Sequence, residues 1–150
     1  MTRYIAATTP RDLEIFLSKI AVEFSAGDTQ TLIDLYTDEP LVDEQVATSF
    51  QEVTEMARLQ RESPSRRHWF TRRDPLMGVQ LDLTRDEHVT HFSRLAHRVI
   101  NAEVWQGDHQ LFGTVESPVR VWVDLSDEAV ERALAAARAC GAAVHMEPGN

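Results

Sequence analysis

Twice in its second half the chain runs through the same order of signals: alternating apolar residues, a helix-capping residue, an apolar stripe at helical spacing, and a second short strand-like stretch. The first pass uses Val79, Leu81 and Leu83, then Thr84 with Glu87 at capping-box spacing, then Val89, Phe92, Ala96 and Val99, and ends over 102–105. In the second pass Val119, Val121 and Val123 precede Ser126 as a cap, with Asp127 and Glu128 in the first turn. Val130, Leu134 and Ala137 then line a helix, Gly141 follows it, and 143–146 reads as a strand. Period-two stretches bury one face of a sheet and period-3.6 stripes bury one side of a helix, so each pass predicts a strand–helix–strand unit. Residues 83–89 can be laid over 125–130 with one residue skipped, which fits an old duplication or the same capping logic used twice.

Between the passes, Gln106-Gly107-Asp108-His109 is a turn signal followed by Leu111, Phe112 and Val115, so a hairpin strand is expected there. Two units built around a hairpin suit an antiparallel sheet with both helices on one face, as in ferredoxin-like domains. The alternative is a different sheet order from the same elements, if the extra strand turns the second unit around.

Residues 1–60 read as three helices. Thr9, Pro10 and Asp12 combine a capping hydroxyl, a proline at the first helical position and an acid in the first turn. Leu13, Phe16, Leu17, Ile20 and Phe24 form the stripe that follows, with Gly27 as the expected left-handed cap. Asp28 then caps a second, short helix carrying Leu32, Ile33, Leu35 and Tyr36 and stopped by Asp38-Glu39-Pro40. Val46, Phe50, Val53 and Ala57 mark the third. The expected fold is α+β, one domain over 1–150: an N-terminal three-helix segment (1–60), an Arg/aromatic connector (61–77), and a ferredoxin-like double strand–helix–strand antiparallel sheet (78–150).

Charge is unevenly spread. The chain carries a formal −9, yet 58–73 holds six arginines against one acid, Glu62, and Pro64 and Pro75 mark this stretch as a connector. Its Arg66, Arg67, Arg72 and Arg73 flank Trp69 and Phe70, a combination able to clamp phosphates and stack on bases. The acidity of the whole chain argues against nucleic acid, and pairing with the chain's own acids is the simpler use.

Several chemistries find no support. The single cysteine, Cys140, can form neither an intrachain disulfide nor a multi-cysteine metal site, and a helix C-terminus is not the setting expected of a catalytic nucleophile. Gly-x-Ser-x-Gly is absent, and so is a glycine-rich phosphate loop. Glu87, His88 and His91 share one flank of a predicted helix, but the His-Glu-x-x-His order is missing, so a solvated helix start is expected and no metal or cofactor is assigned. No stretch approaches the ~18 apolar residues of a membrane span, and residues 1–10 lack a secretory signal's basic start and apolar run, so a soluble cytoplasmic protein is expected. One lysine against fourteen arginines points to a GC-rich coding sequence and a bacterial source.

Two stretches have local likenesses. Residues 26–28 with 32–36 resemble the opening of NTF2-like domains, and 119–144 is similar to the half-module of vicinal-oxygen-chelate proteins. The first family continues into a long curved sheet where a helix is expected here, and the second family's metal positions have no counterparts, so no family is assigned.

The acids from Asp34 to Glu55 meet no basic residue in sequence: Asp34, Asp38, Glu39, Asp43, Glu44, Glu52 and Glu55. Such a one-signed surface suits a basic partner. Arg120 and Trp122 are expected on the sheet face opposite Val121 and Val123, available for a partner, for a homodimer, or for packing beneath the N-terminal helices. The expected partner-binding set is Asp34, Asp38, Glu39, Asp43, Glu44, Arg120 and Trp122, with no catalytic set. The function that follows is a non-enzymatic acidic protein-binding module, of inhibitor or immunity type, neutralising a basic partner such as a toxin. The alternative is a small-molecule-binding protein or enzyme with a cleft between helices and sheet, using His68, His88, His91 or His109 as acid–base groups.

Overall fold

Where a helix signal is local, it is realised. Thr9 caps α1 (Pro10–Ser25) in a full capping box: its Oγ1 accepts the Asp12 N–H at 3.1 Å, and the Asp12 carboxylate accepts the Thr9 N–H at 3.1 Å. Ser126 accepts the Ala129 N–H at 3.2 Å and starts α4 (Asp127–Ala139), after which Gly141 takes the left-handed conformation, φ 86°. The computed structural model describes residues 1–62 and 74–148; the Arg/aromatic readings at 65–73, His68 among them, lie outside the described residues.

Two local signals are satisfied differently from expectation. At the start of α3 (Asp86–Leu95) the Thr84–Glu87 box does not form, because Asp82 Oδ1 accepts both the Thr84 N–H at 3.0 Å and the Thr84 hydroxyl at 2.6 Å. Gly27 does not take a positive φ. It stands instead where a Cβ would come within 2.7 Å of the Gln106 amide.

The three-helix N-terminal segment is corrected by two strands. Residues Arg3–Ala7 form β1, with Ile5 and Ala7 buried, and Gln30–Asp34 form β2, with Thr31 and Ile33 buried. The stretch read as the second helix alternates instead: Thr31, Ile33 and Leu35 are all buried, a period-two pattern that apolar Leu32 and Tyr36 on the other face had masked. The third expected helix is real as α2 (Glu44–Glu62).

The remaining strands are β3 (Val79–Leu81), β4 (Asn101–Gln106), β5 (His109–Thr114), β6 (Arg120–Val123) and β7 (Val144–Met146). All seven join in one antiparallel sheet of order β3-β2-β4-β5-β6-β1-β7. Both expected strand–helix–strand units exist, as β3-α3-β4 and β6-α4-β7, but the ferredoxin-like interleaving of one with the other does not. Each unit is split by a strand from the N-terminal segment instead: β2 lies between β3 and β4, and β1 between β6 and β7. The central hairpin turns at Gly107, φ 59°, as its turn signal implies.

The described residues contain four helices, and these contribute to one core on the inner face of the sheet. Phe24 of α1, Phe92 of α3 and Phe112 of β5 meet edge to face, with ring centroids 5.3 to 6.4 Å apart. Val121 and Val123 point into this core, and Trp122 points out of it. Packing of Trp122 beneath the N-terminal helices is therefore corrected: α1 and α2 bury Phe16, Leu17, Val46 and Val53 against the opposite face. At the sheet's outer edge the Gln60 side chain of α2 bonds both the N–H and the C=O of Gln80, at 2.9 and 2.7 Å, which satisfies exposed groups of β3.

Candidate functional site

At the end of the sheet where β1, β2 and β5 finish, three connections converge: the start of α1 at Pro10, the loop 36–43, and the turn 115–118. They enclose a cleft of about 660 Å³. Thr37 shapes the loop, its Oγ1 accepting the Glu39 N–H at 3.3 Å and donating to the Glu39 carbonyl at 3.2 Å. The Ile100 N–H ties the loop's base to the Tyr36 carbonyl at 2.8 Å.

The lining is divided by chemistry. Asp38, Glu39, Asp43 and Glu116 stand exposed at the mouth, and none makes an ion pair among the described residues. Between them Val42 is 94% exposed and Ile100 50%, with Leu41, Val99 and Val115 continuing the apolar surface inward. On the inner wall Arg98 donates to the Arg94 carbonyl at 2.7 Å and lies 4.0 Å from the buried Glu14. Glu14 also faces Arg11 at 2.9 Å and Arg94 at 3.8 Å, so one buried carboxylate meets three guanidinium groups, and Arg98 and Arg94 also act through space on Asp43. His97 is buried beside Arg98, and neither ring nitrogen finds a hydrogen-bond partner among the described residues. Burial, then the Arg98 charge, pushes its pKa down to about 3, with the Pro10 carbonyl pulling weakly the other way.

The expected partner-binding residues separate into three groups. Asp38, Glu39 and Asp43 come together at this cleft, and Glu44 adjoins them as the exposed first residue of α2. Asp43 has a second duty: its Oδ1 caps α2 by accepting the Val46 N–H at 3.0 Å, and that bond holds its carboxyl below the usual range. Asp34 is taken up inside the fold, accepting the Gly78 N–H at 2.8 Å and the Asn101 amide at 3.2 Å.

Arg120 and Trp122 lie apart, on the outer sheet face. Arg120 makes a two-pronged pair with Glu147 at 2.9 and 2.7 Å and sits 4.3 Å over the Tyr4 ring. Trp122 covers Gly113, where a Cβ would stand 2.4 Å from its indole nitrogen. Trp105 donates to Glu103 at 2.8 Å on the same face.

The expectation of a solvated helix start at 87–91 is also corrected. His88 and His91 are both buried, because α2 packs against this flank of α3. His88 Nδ1 accepts the Asp82 N–H at 2.8 Å, while His91 faces Glu52 of α2 at 3.2 Å and Glu87 at 3.9 Å. Burial moves both imidazoles below their ordinary pKa. The remaining histidine named for acid–base work, His109, is exposed and pairs with Asp124 at 3.1 Å.

Sequence reasoning found the acids of the cleft but missed Val42, Ile100, Glu116 and His97, which reach it from separate connections. Only Val42 carried a local signal, as an apolar residue just after Asp38-Glu39-Pro40 and before Asp43-Glu44. Comparison with known protein families, with curated proteins and with solved structures finds no match to this chain. No helix among the described residues is long and apolar enough to cross a membrane.

Proposed function

We propose that this protein is a non-enzymatic binding module that docks a basic protein partner at the acid-rimmed cleft, acting as an inhibitor or immunity-type neutraliser in the cytoplasm. The observation that carries this reading is the placement of Val42, almost fully exposed, among Asp38, Glu39, Asp43 and Glu116. An apolar anchor inside a one-signed ring combines two halves of an interface: the anchor contributes affinity on desolvation, and the acids steer a basic surface toward it. Arg120 and Trp122 belong to this reading only as a second contact face, since Arg120 is already paired within the fold. The split strand–helix–strand units support viewing the sheet as an elaborated relative of the ferredoxin-like arrangement. The cleft's volume, inside the range of roughly 300–1,000 Å³ common for ligand sites, favours a small cationic ligand as the second reading.

Affinity capture with quantitative proteomics tests the lead reading, using the wild type, Val42→Asp, and Asp38→Lys with Glu39→Lys. These positions are exposed, so folding should change by less than ~0.5 kcal/mol. The expected result is a basic protein retained by wild type at low salt and lost by both variants. Identical capture by all three proteins contradicts the proposal.

A further inference from the structure

We infer that Glu52, Glu87 and His91 form a binding site for a divalent transition-metal ion, bridging α2 and α3. This goes beyond the proposed binding function and does not depend on it, since Glu52 lies about 12 Å along α2 from Glu44 at the acidic mouth, taking 1.5 Å per residue.

His91 is the observation that points to a ligand. Its side chain is only 3% exposed, and both ring nitrogens lack a hydrogen-bond partner among the described residues, a costly condition for a buried imidazole. The ring nevertheless aims Nε2 at two carboxylates from different helices, Glu52 at 3.2 Å and Glu87 at 3.9 Å. One ligand atom from each of the three residues can be chosen so that all lie within 4.8 Å of one another. Zinc bonds of 2.0–2.1 Å in a tetrahedron need donor atoms about 3.3 Å apart. The His91–Glu52 separation already matches, and the two separations that involve Glu87, both within 4.8 Å, close through its flexible side chain, 62% exposed.

The remaining polar groups are compatible with this assignment. Glu87 offers His91 one oxygen while its other faces Arg85 at 3.6 Å. Arg94, one turn beyond His91, directs Nη1 to Ser49 at 3.1 Å. Imidazole nitrogen with two carboxylate oxygens is a donor set for zinc and its transition-metal neighbours, with solvent completing the shell. His91 Nδ1 has no acceptor to orient the ring among the described residues, and a hydrogen bond of that kind behind a metal ligand is commonly worth about 10–100-fold in affinity. The site should therefore bind zinc about 10–100-fold more weakly than one whose imidazole is oriented in that way.

Zinc chloride titrated into the chelator-treated full chain, read by calorimetry and thermal melting, tests the assignment. Glu52→Gln with Glu87→Gln is the decisive variant, because both carboxylates are more than half exposed and the metal-free fold should survive their neutralisation; His91→Ala risks unfolding. The expected result is one zinc per chain, with a melting temperature raised by about 5–10 °C at a hundredfold excess over Kd. The double variant should bind at least tenfold more weakly, with an unchanged metal-free melting temperature. Absence of saturable zinc binding, or equal binding by the double variant, would overturn the inference.

Discussion

Replacing His97 with leucine should abolish a large part of the protein's acid sensitivity. In the folded state this imidazole is buried and neutral, with a pKa near 3 against an ordinary value of 6.5. The unfolded chain therefore gains a proton as pH falls through 6.5 while the folded chain does not, so stability is lost on acidification. Above 6.5 both states are neutral and the residue contributes no pH dependence. Each pH unit below it costs the fold about 1.4 kcal/mol, so ~2 kcal/mol is gone by pH 5, and the loss levels off near pH 3. His88 and His91 act in the same direction, so the informative quantity is the difference between wild type and His97→Leu. Leucine removes two nitrogens that lack a hydrogen-bond partner among the described residues, at similar volume, and should be neutral or stabilising at pH 7. Urea unfolding at pH 7 and pH 5 provides the measurement: the variant should gain ~2 kcal/mol relative to wild type, on the order of 1 M in midpoint. A stability difference that stays constant between the two pH values would refute the argument.

Gly113→Ala should destabilise the fold by about 1–3 kcal/mol, because the added methyl overlaps the Trp122 indole and must displace it; a denaturant midpoint and a tryptophan emission spectrum both matching wild type would count against this packing. Thr9→Ala removes the hydroxyl half of the α1 capping box and should cost about 1 kcal/mol in denaturant unfolding.

What could be read from the sequence was whatever the chain satisfies within a few residues. Thr9 with Asp12, Ser126 with Ala129, and the Gly107 turn each complete their own hydrogen bonds or dihedral requirements locally. Failures began where a short apolar run fits two periods. Leu32, Ile33 and Leu35 can occupy one side of a helix turn, and pairing of Ile33 with Val79 and Ala102 decides for the strand. β1 has the same difficulty, since Tyr4, Ile5, Ala6 and Ala7 are one apolar run whose strand character is decided only by pairing with β6 and β7.

Tertiary contact also determined which candidate residues share a site. Asp38, Glu39 and Asp43 were legible as a charge run, yet Asp34, four residues before Asp38, is spent on Gly78 and Asn101. Glu116 and Ile100 join the cleft from connections far along the chain. His91 and Glu87 were visible as helix neighbours, but Glu52 reaches them only because α2 packs on α3.

Amide hydrogen exchange on the complex with the captured basic partner tests the docking claim most directly. New protection is expected over 37–44 and 115–118 that weakens as salt is raised and exceeds any change in the central strands β1, β5 and β6. Protection confined to those strands around Tyr4, Gly113 and Trp122, with the acidic loop exchanging as in the free protein, would contradict it.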